Sequence, residues 1–191
     1  MKIKKIYREQ FDGVVYNFHC TPDENYFSEN ILVHNCYKQN YPVGNYMTID
    51  TYRKVLDNIN RYKTITQVAL GADAEAKTNP DLEAILAYTR ASGVVPNITV
   101  ASLDDETADL IADYCGGCAV SVYDDFDVAF DTIKKLTDRG MNQVNIHRCI
   151  HEDNFESTMK LLDAIGDDSR LEKHHAIVFL SLKQKGRGIG F

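Results

Sequence analysis

Apolar and polar positions follow two textures along this chain of 191 residues, and the change falls near residue 36. Before it, KIKKIYR, GVVYNFHC and NILVHN are short β-type runs, parted by Asp12-Gly13 and by the turn-rich stretch TPDENYFSEN. None of these segments has helical periodicity. After residue 36, apolar runs alternate with amphipathic stretches. Strands are expected over Thr66–Gly71, Val95–Ala101, Cys118–Tyr123, Gln143–Ile150 and His175–Leu182. Helices are expected between them, over Asn79–Ala91, Asp104–Tyr114, Asp125–Arg139 (ending at Gly140) and Glu152–Ile165. The first of these opens on Asn-Pro-Asp, with Asn79 as the cap and Pro80 at the first helical position. Strands this short and apolar, each followed by a helix, imply a parallel α/β sheet, closed or partly closed as a barrel. No helix follows the last strand, so the fold is expected to be incomplete at both ends.

Composition narrows the class. The formal net charge is −7, spread along the chain, so a nucleic-acid footprint is not expected. No apolar run approaches the ~20 residues of a membrane span, and the N-terminus MKIKKIYREQ has no apolar signal-peptide core, so neither membrane nor secretion is expected. The five cysteines, 20, 36, 115, 118 and 149, are odd in number and scattered. They read as free thiols, cluster ligands or nucleophiles in a reducing cytoplasm.

Three consecutive residues carry the chemistry of the first part. Asn35 has a side-chain amide that can attack its own backbone carbonyl, His34 can give a proton to a departing amine, and Cys36 is a nucleophile beside the bond. A bare His-Asn-Cys is a weak motif. Here it closes a longer block, Val14 to Cys36, VVYNFHCTPDENYFSENILVHNC. That block resembles the C-terminal conserved block of inteins, and Met-Lys-Ile-Lys-Lys-Ile at 1–6 resembles the opening strand of naturally split intein C-fragments. The resemblance covers residues 1–35, with Cys36 as the residue after the splice junction. It implies a β-rich Hint C-fragment and a four-step reaction, in which a first nucleophile on a partner fragment activates its upstream peptide bond. Cys36 accepts that acyl group, Asn35 cyclises to a succinimide, and a sulfur-to-nitrogen shift leaves a native bond. A thiol of ordinary pKa about 8.5 is only slightly ionised at neutral pH, so a base is needed. His34, or a histidine of the partner, is the candidate. Two positions depart from the family: Asn17 stands where Asp is usual, and Glu24 where His is frequent. Glu24 can still shuttle protons if burial raises its pKa. No first nucleophile precedes the block and no Thr-x-x-His lies within 1–35, so splicing is expected only in trans, with a complementary intein N-fragment, and it needs no cofactor.

Residues 36–191 resemble the radical S-adenosylmethionine (SAM) superfamily, in particular members from phage and bacterial genomes. The resemblance is carried by Cys-Tyr-Lys at 36–38, QVALGADAEAKTNPDLEAIL (67–86), GVVPNITVA (93–101), AVSVY (119–123), QVNIH (143–147) and AIVFLSLKQKGRG (176–188). It implies a partial (βα) barrel lacking its first strand, with Cys36 as third ligand of a [4Fe–4S] cluster. The first two cluster cysteines would come on the partner's flanking sequence, so splicing would complete the motif. Gly71-Ala72-Asp73-Ala74-Glu75 stands where the family has Gly-Gly-Glu at the SAM amine; Gly71, Asp73 and Glu75 are the candidates there. Strand ends add Asn97, Ser121 and His147 as pocket candidates, each also readable as a hydrogen-bonded interior group. Cys115-Gly-Gly-Cys118 reads as a helix-to-strand turn, and His174-His175 as the start of the last strand. A rival function stays open, a decayed intein fused to a non-catalytic barrel that serves as a binding module.

Overall fold

The computed structural model describes residues 25–28, 31–34, 46–61, 63–71 and 76–181. The chain divides into two units, Met1–Gly44 and Asn45–Phe191. In the first, β1 (Asn25–Ser28) and β2 (Ile31–His34) form an antiparallel pair, with Asn25 opposite His34 and Ser28 opposite Ile31. The aromatic Tyr26 and Phe27 oppose Val33 and Leu32, a pairing of residue types that favours strands. Within the turn-rich stretch TPDENYFSEN, Asn25–Ser28 is extended.

The second unit is an α/β fold of alternating βα units on a five-stranded parallel sheet. Its strands are β3 (Gln67–Gly71), β4 (Val95–Val100), β5 (Gly117–Ser121), β6 (Val144–Ile150) and β7 (Ala176–Ser181), in spatial order β3-β4-β5-β6-β7. The order is compatible with part of an α/β barrel. Helices α1 (Ile49–Ile59), α2 (Leu82–Ala91), α3 (Asp105–Tyr114), α4 (Phe126–Asp138) and α5 (Phe155–Asp167) all pack on one side. Alternation along the strands separates the faces. Ile98, Val100, Cys118, Val120, Val144 and Ile146 are buried beneath the helices. Their strand neighbours, among them Asn97, Thr99, Ala119, Ser121, Asn145 and His147, lie half-buried on the opposite face.

Each helix shows why it forms. Thr48 caps α1, its hydroxyl accepting the Thr51 N–H, and Tyr52 and Leu56 are buried one turn apart. In α2, Leu82, Ile85, Leu86 and Thr89 repeat at the i, i+3, i+4, i+7 spacing. Thr89 donates to the Ile85 carbonyl at 2.7 Å, so its oxygen receives the buried Tyr52 hydroxyl, also at 2.7 Å. Asp104 caps α3 through the Thr107 N–H at 2.9 Å. Gly140, with φ at +82°, closes the turn after α4, a conformation that favours glycine.

Two helix starts fall three residues later than expected. Helix α2 begins at Leu82, not Asn79, because the Asn79 side-chain oxygen accepts the Asp81 N–H at 2.9 Å and folds Asn-Pro-Asp into a turn. The segment from residue 152 opens as a single 3-10 turn, Glu152–Asn154, before α5 starts at Phe155. Helix α1 adds an element that the apolar runs alone did not mark. Among the described residues, no helix is long and apolar enough to cross a membrane.

Candidate functional site

Of the residues expected to act at the junction, His34 is the last residue of β2, paired with Asn25 of β1. Glu24, Asn35 and Cys36 lie outside the described residues, as do Asp73 and Glu75. In sequence, Glu24 immediately precedes Asn25, and Asn35 immediately follows His34. The paired residues are thus the chain neighbours of the acid and the amide assigned to the reaction.

The other candidates sit on the helix-free face of the sheet, in rows set by strand register. Gly71, the last residue of β3, pairs with Thr99, which pairs with Ala119; Ala119 pairs with Asn145, and Asn145 with Ala176. One step on, Ser121 pairs with His147, and His147 with Val178. Ser121 and His147 are therefore side by side, on strands roughly 4.8 Å apart. Burial holds the His147 imidazole below its ordinary pKa, which keeps the neutral ring, with one donor and one acceptor nitrogen, beside the Ser121 hydroxyl.

Asn97 does not join them. It pairs with Gly117, four residues before Ser121 on β5, a separation of roughly 13 Å along the strand. Its amide instead donates to Gln67 Oε1 at 2.9 Å, so it is a satisfied polar group near the amino end of the sheet.

The described cysteines do not converge. Cys115 ends α3 and Cys118 enters β5, both buried under the helices; desolvation pushes the Cys115 thiol up to about 12 and the Cys118 thiol further still. Such thiols stay protonated and serve as small apolar groups. Cys149 pairs with Leu180 on the opposite face. Among the described residues, no three His, Cys, Asp or Glu side chains are close enough to hold a metal ion. Cys115, Cys118 and Cys149 thus form no ligand set among themselves, and Cys36, the expected cluster ligand, lies outside the described residues. His174 Nδ1 meets the Leu171 carbonyl at 2.6 Å, and the His175 N–H donates to Val144, so this pair leads into β7.

Arg148 carried no signal in the sequence. It is 2 % exposed, under the helices, and its guanidinium donates to the Val122 carbonyl at 3.1 Å, to Thr158 at 3.2 Å, to Asp124 at 3.2 Å and to Ser157. It ties the carboxyl end of β5 to the first turn of α5. Its partners lie 9 to 26 positions away, beyond the reach of any local pattern.

No family model matches the chain, and no curated protein matches it.

Proposed function

We propose that residues 1–35 are the C-terminal fragment of a split intein with a Hint-type fold, and that the chain performs protein splicing in trans. The carrying observation is the sequence block Val14–Cys36 ending in His34-Asn35-Cys36. The antiparallel β1–β2 pair ends at His34, the residue before Asn35 in the sequence.

In this reading Cys36, as thiolate, attacks the activated acyl carbon of the partner's flanking segment, and the partner's nucleophile leaves. The Asn35 side-chain nitrogen then attacks the Asn35 carbonyl carbon. The Asn35–Cys36 peptide bond breaks, residues 1–35 depart with a terminal succinimide, and Cys36 gains a free amine. His34 gives the proton that this amine requires, with Glu24 as a further proton carrier. The freed amine takes the acyl group from sulfur, which leaves a peptide bond.

The product would join the partner's segment to residues 36–191, read as a radical SAM enzyme of a reducing cytoplasm. Cys36 supplies one thiolate of the cluster and the partner's two cysteines the others. When bound, the cluster and SAM supply one-electron cleavage chemistry. The chain's own part is to bind the polar end of SAM through Gly71, Asp73 and Glu75, and to present Ser121 and His147 to a ligand on the helix-free face.

Mixing the chain with a cognate intein N-fragment tests the proposal. Mass spectrometry should find a ligated product, and a released peptide of residues 1–35 lighter by one water than its free acid. Asn35→Ala should block that release. Identical products from wild type and Asn35→Ala would end the proposal.

A further inference from the structure

We infer that the helix-free face holds its substrate by a flat, uncharged ring bearing both hydrogen-bond donors and acceptors, of the kind found in a nucleobase. The inference rests on the reading that residues 36–191 act on a ligand at this face, and is independent of splicing. Ala119 and Ser121 on β5 stand opposite Asn145 and His147 on β6, a patch two residues by two. Across the ladder its members are roughly 4.8 Å apart, and along each strand roughly 7 Å. A single ring can touch Ser121, Asn145 and His147 together.

The polar groups of this patch are idle in the fold. The Ser121 hydroxyl, the Asn145 amide and the His147 ring bond none of the described residues. Asn145 Oδ1 is moreover cut off from solvent without a partner. An idle buried oxygen weakens a fold, so packing does not account for it. A half-turn of the amide exchanges nitrogen for oxygen at the face, so Asn145 can offer two donors or an acceptor. The neutral His147 ring adds one of each, and the Ser121 hydroxyl serves as either.

Charge and shape narrow the ligand. Residues 76–181 are described without a break, so β4, β5, β6 and the turns after them are complete. On the helix-free side of these strands stand Asn97, Thr99, Ala119, Ser121, Asn145 and His147, none with a formal charge. An ionic ligand finds no counter-charge on them. The small Ala119 leaves room for a ring to lie flat. Val178, 37 % exposed, pairs with His147 and adds apolar surface. The Val122 N–H donates to the His147 carbonyl at 2.8 Å, so the ladder runs on past β5 and alternation turns Tyr123 to the side of Ser121. The Tyr123 ring is 66 % exposed, a stacking surface at the rim. A few polar groups among apolar and aromatic surface is the usual make-up of a small-molecule site.

The test uses the full chain carrying Asn35→Ala, so that cleavage plays no part. Uridine, adenosine and glucose are titrated by calorimetry, with amide spectra followed at Ala119, Ser121 and His147. At least one nucleoside should saturate, shift those three amides and bind equally at low and high salt, while glucose should not saturate. Tyr123→Ala should weaken binding roughly five- to hundred-fold, the range for lost stacking. Asn145→Ala and Ser121→Ala should each weaken it roughly threefold to tenfold. Lys134→Gln, whose lysine pairs with Asp138 on α4, should bind as the parent does. If Asn145→Ala fails to fold, Tyr123→Ala carries the comparison. Saturation by uridine alone or by adenosine alone names the ring, and either supports the site. No saturation by a nucleoside at millimolar concentration, tighter binding of glucose, or unchanged affinity in the folded variants overturns it. Displacement of the nucleoside by S-adenosylhomocysteine also overturns it, since the patch would then belong to the cofactor. Splicing and radical chemistry are scored apart, by the mass of the spliced product and its release of 5′-deoxyadenosine, so failure of those readings is not confused with failure of this one.

Discussion

The Asp81 carboxylate accepts the backbone N–H of Ile49 at 2.8 Å, so the residue at the head of α2 caps the first turn of α1. Together with Asn79, whose amide donates to the Met47 carbonyl at 3.2 Å, it ties the two helix starts together. Asp81→Ala should cost about 1 kcal/mol, the usual size of a lost cap, and lower the urea midpoint of the second unit. Asp81→Asn should cost less. A midpoint unchanged by the alanine variant would show that the Ile49 amide is equally well served by water.

This capping also explains what could and could not be read in advance. The β4, β5 and β6 strands were legible because apolar side chains under the helices alternate with smaller or polar ones. The Cys115–Cys118 turn was legible for the same reason, a pair of glycines between a helical and an extended pattern. The start of α2 was not. Asn-Pro-Asp fits a helix cap and a turn equally well, and the choice lies with Met47 and Ile49, some thirty residues upstream. Helix α1 left a fair signal, Thr48 followed by Tyr52, Leu56 and Ile59, but its mixed polarity hid it among loop residues. For the site, register united Ser121 with His147 and separated Asn97, because a position within a strand says nothing of its row.

Arg148 should be among the most sensitive positions in the protein. Arg148→Met removes the donor to the buried Val122 carbonyl and to Thr158, and should cost roughly 2–4 kcal/mol by thermal unfolding. Lysine cannot fork to four acceptors, so Arg148→Lys should recover less than half of that loss. Full recovery by lysine would show that charge alone is needed there.

Gly116 faces the Val95 side chain so closely that an added Cβ would collide with it. Gly116→Ala should therefore destabilise the sheet by about 1–3 kcal/mol. Val95→Ala in the same chain should return part of that stability, a non-additive result that equilibrium unfolding of the double variant would reveal. Strict additivity would place the strain elsewhere.

Acid should weaken the fold in two stages. Burial lowers the His147 pKa, so below about pH 6.5 the unfolded chain takes up a proton before the folded one, and stability falls. Further down, Asp104 is held to about 2 by its bonds from Thr107, and Asp124 and Asp168 are lowered by Arg148 and Arg170. Their contribution is full above about pH 4 and is lost as pH falls through their folded values. Urea midpoints measured from pH 8 to 3 should show both limbs, and His147→Gln should erase the upper one.

Thiol labelling should separate the cysteines. With iodoacetamide at pH 8, Cys115 and Cys118, 6 % and 1 % exposed and held protonated, should stay unmodified in the native protein and react in urea. Cys149, half-buried on the other face, should react faster than either. Native labelling of Cys118 at the rate of Cys149 would mean that the helical layer opens readily.

Among the described residues, each strand of the second unit after β3 lies beside the one made just before it. A ribosome delivering this chain therefore never has to wait for a distant segment: each new strand, as its connecting helix emerges, finds its template already standing. The most far-reaching links are of modest loop length, so closure entropy stays small and assembly can keep pace with translation. Synthesis order and building order coincide.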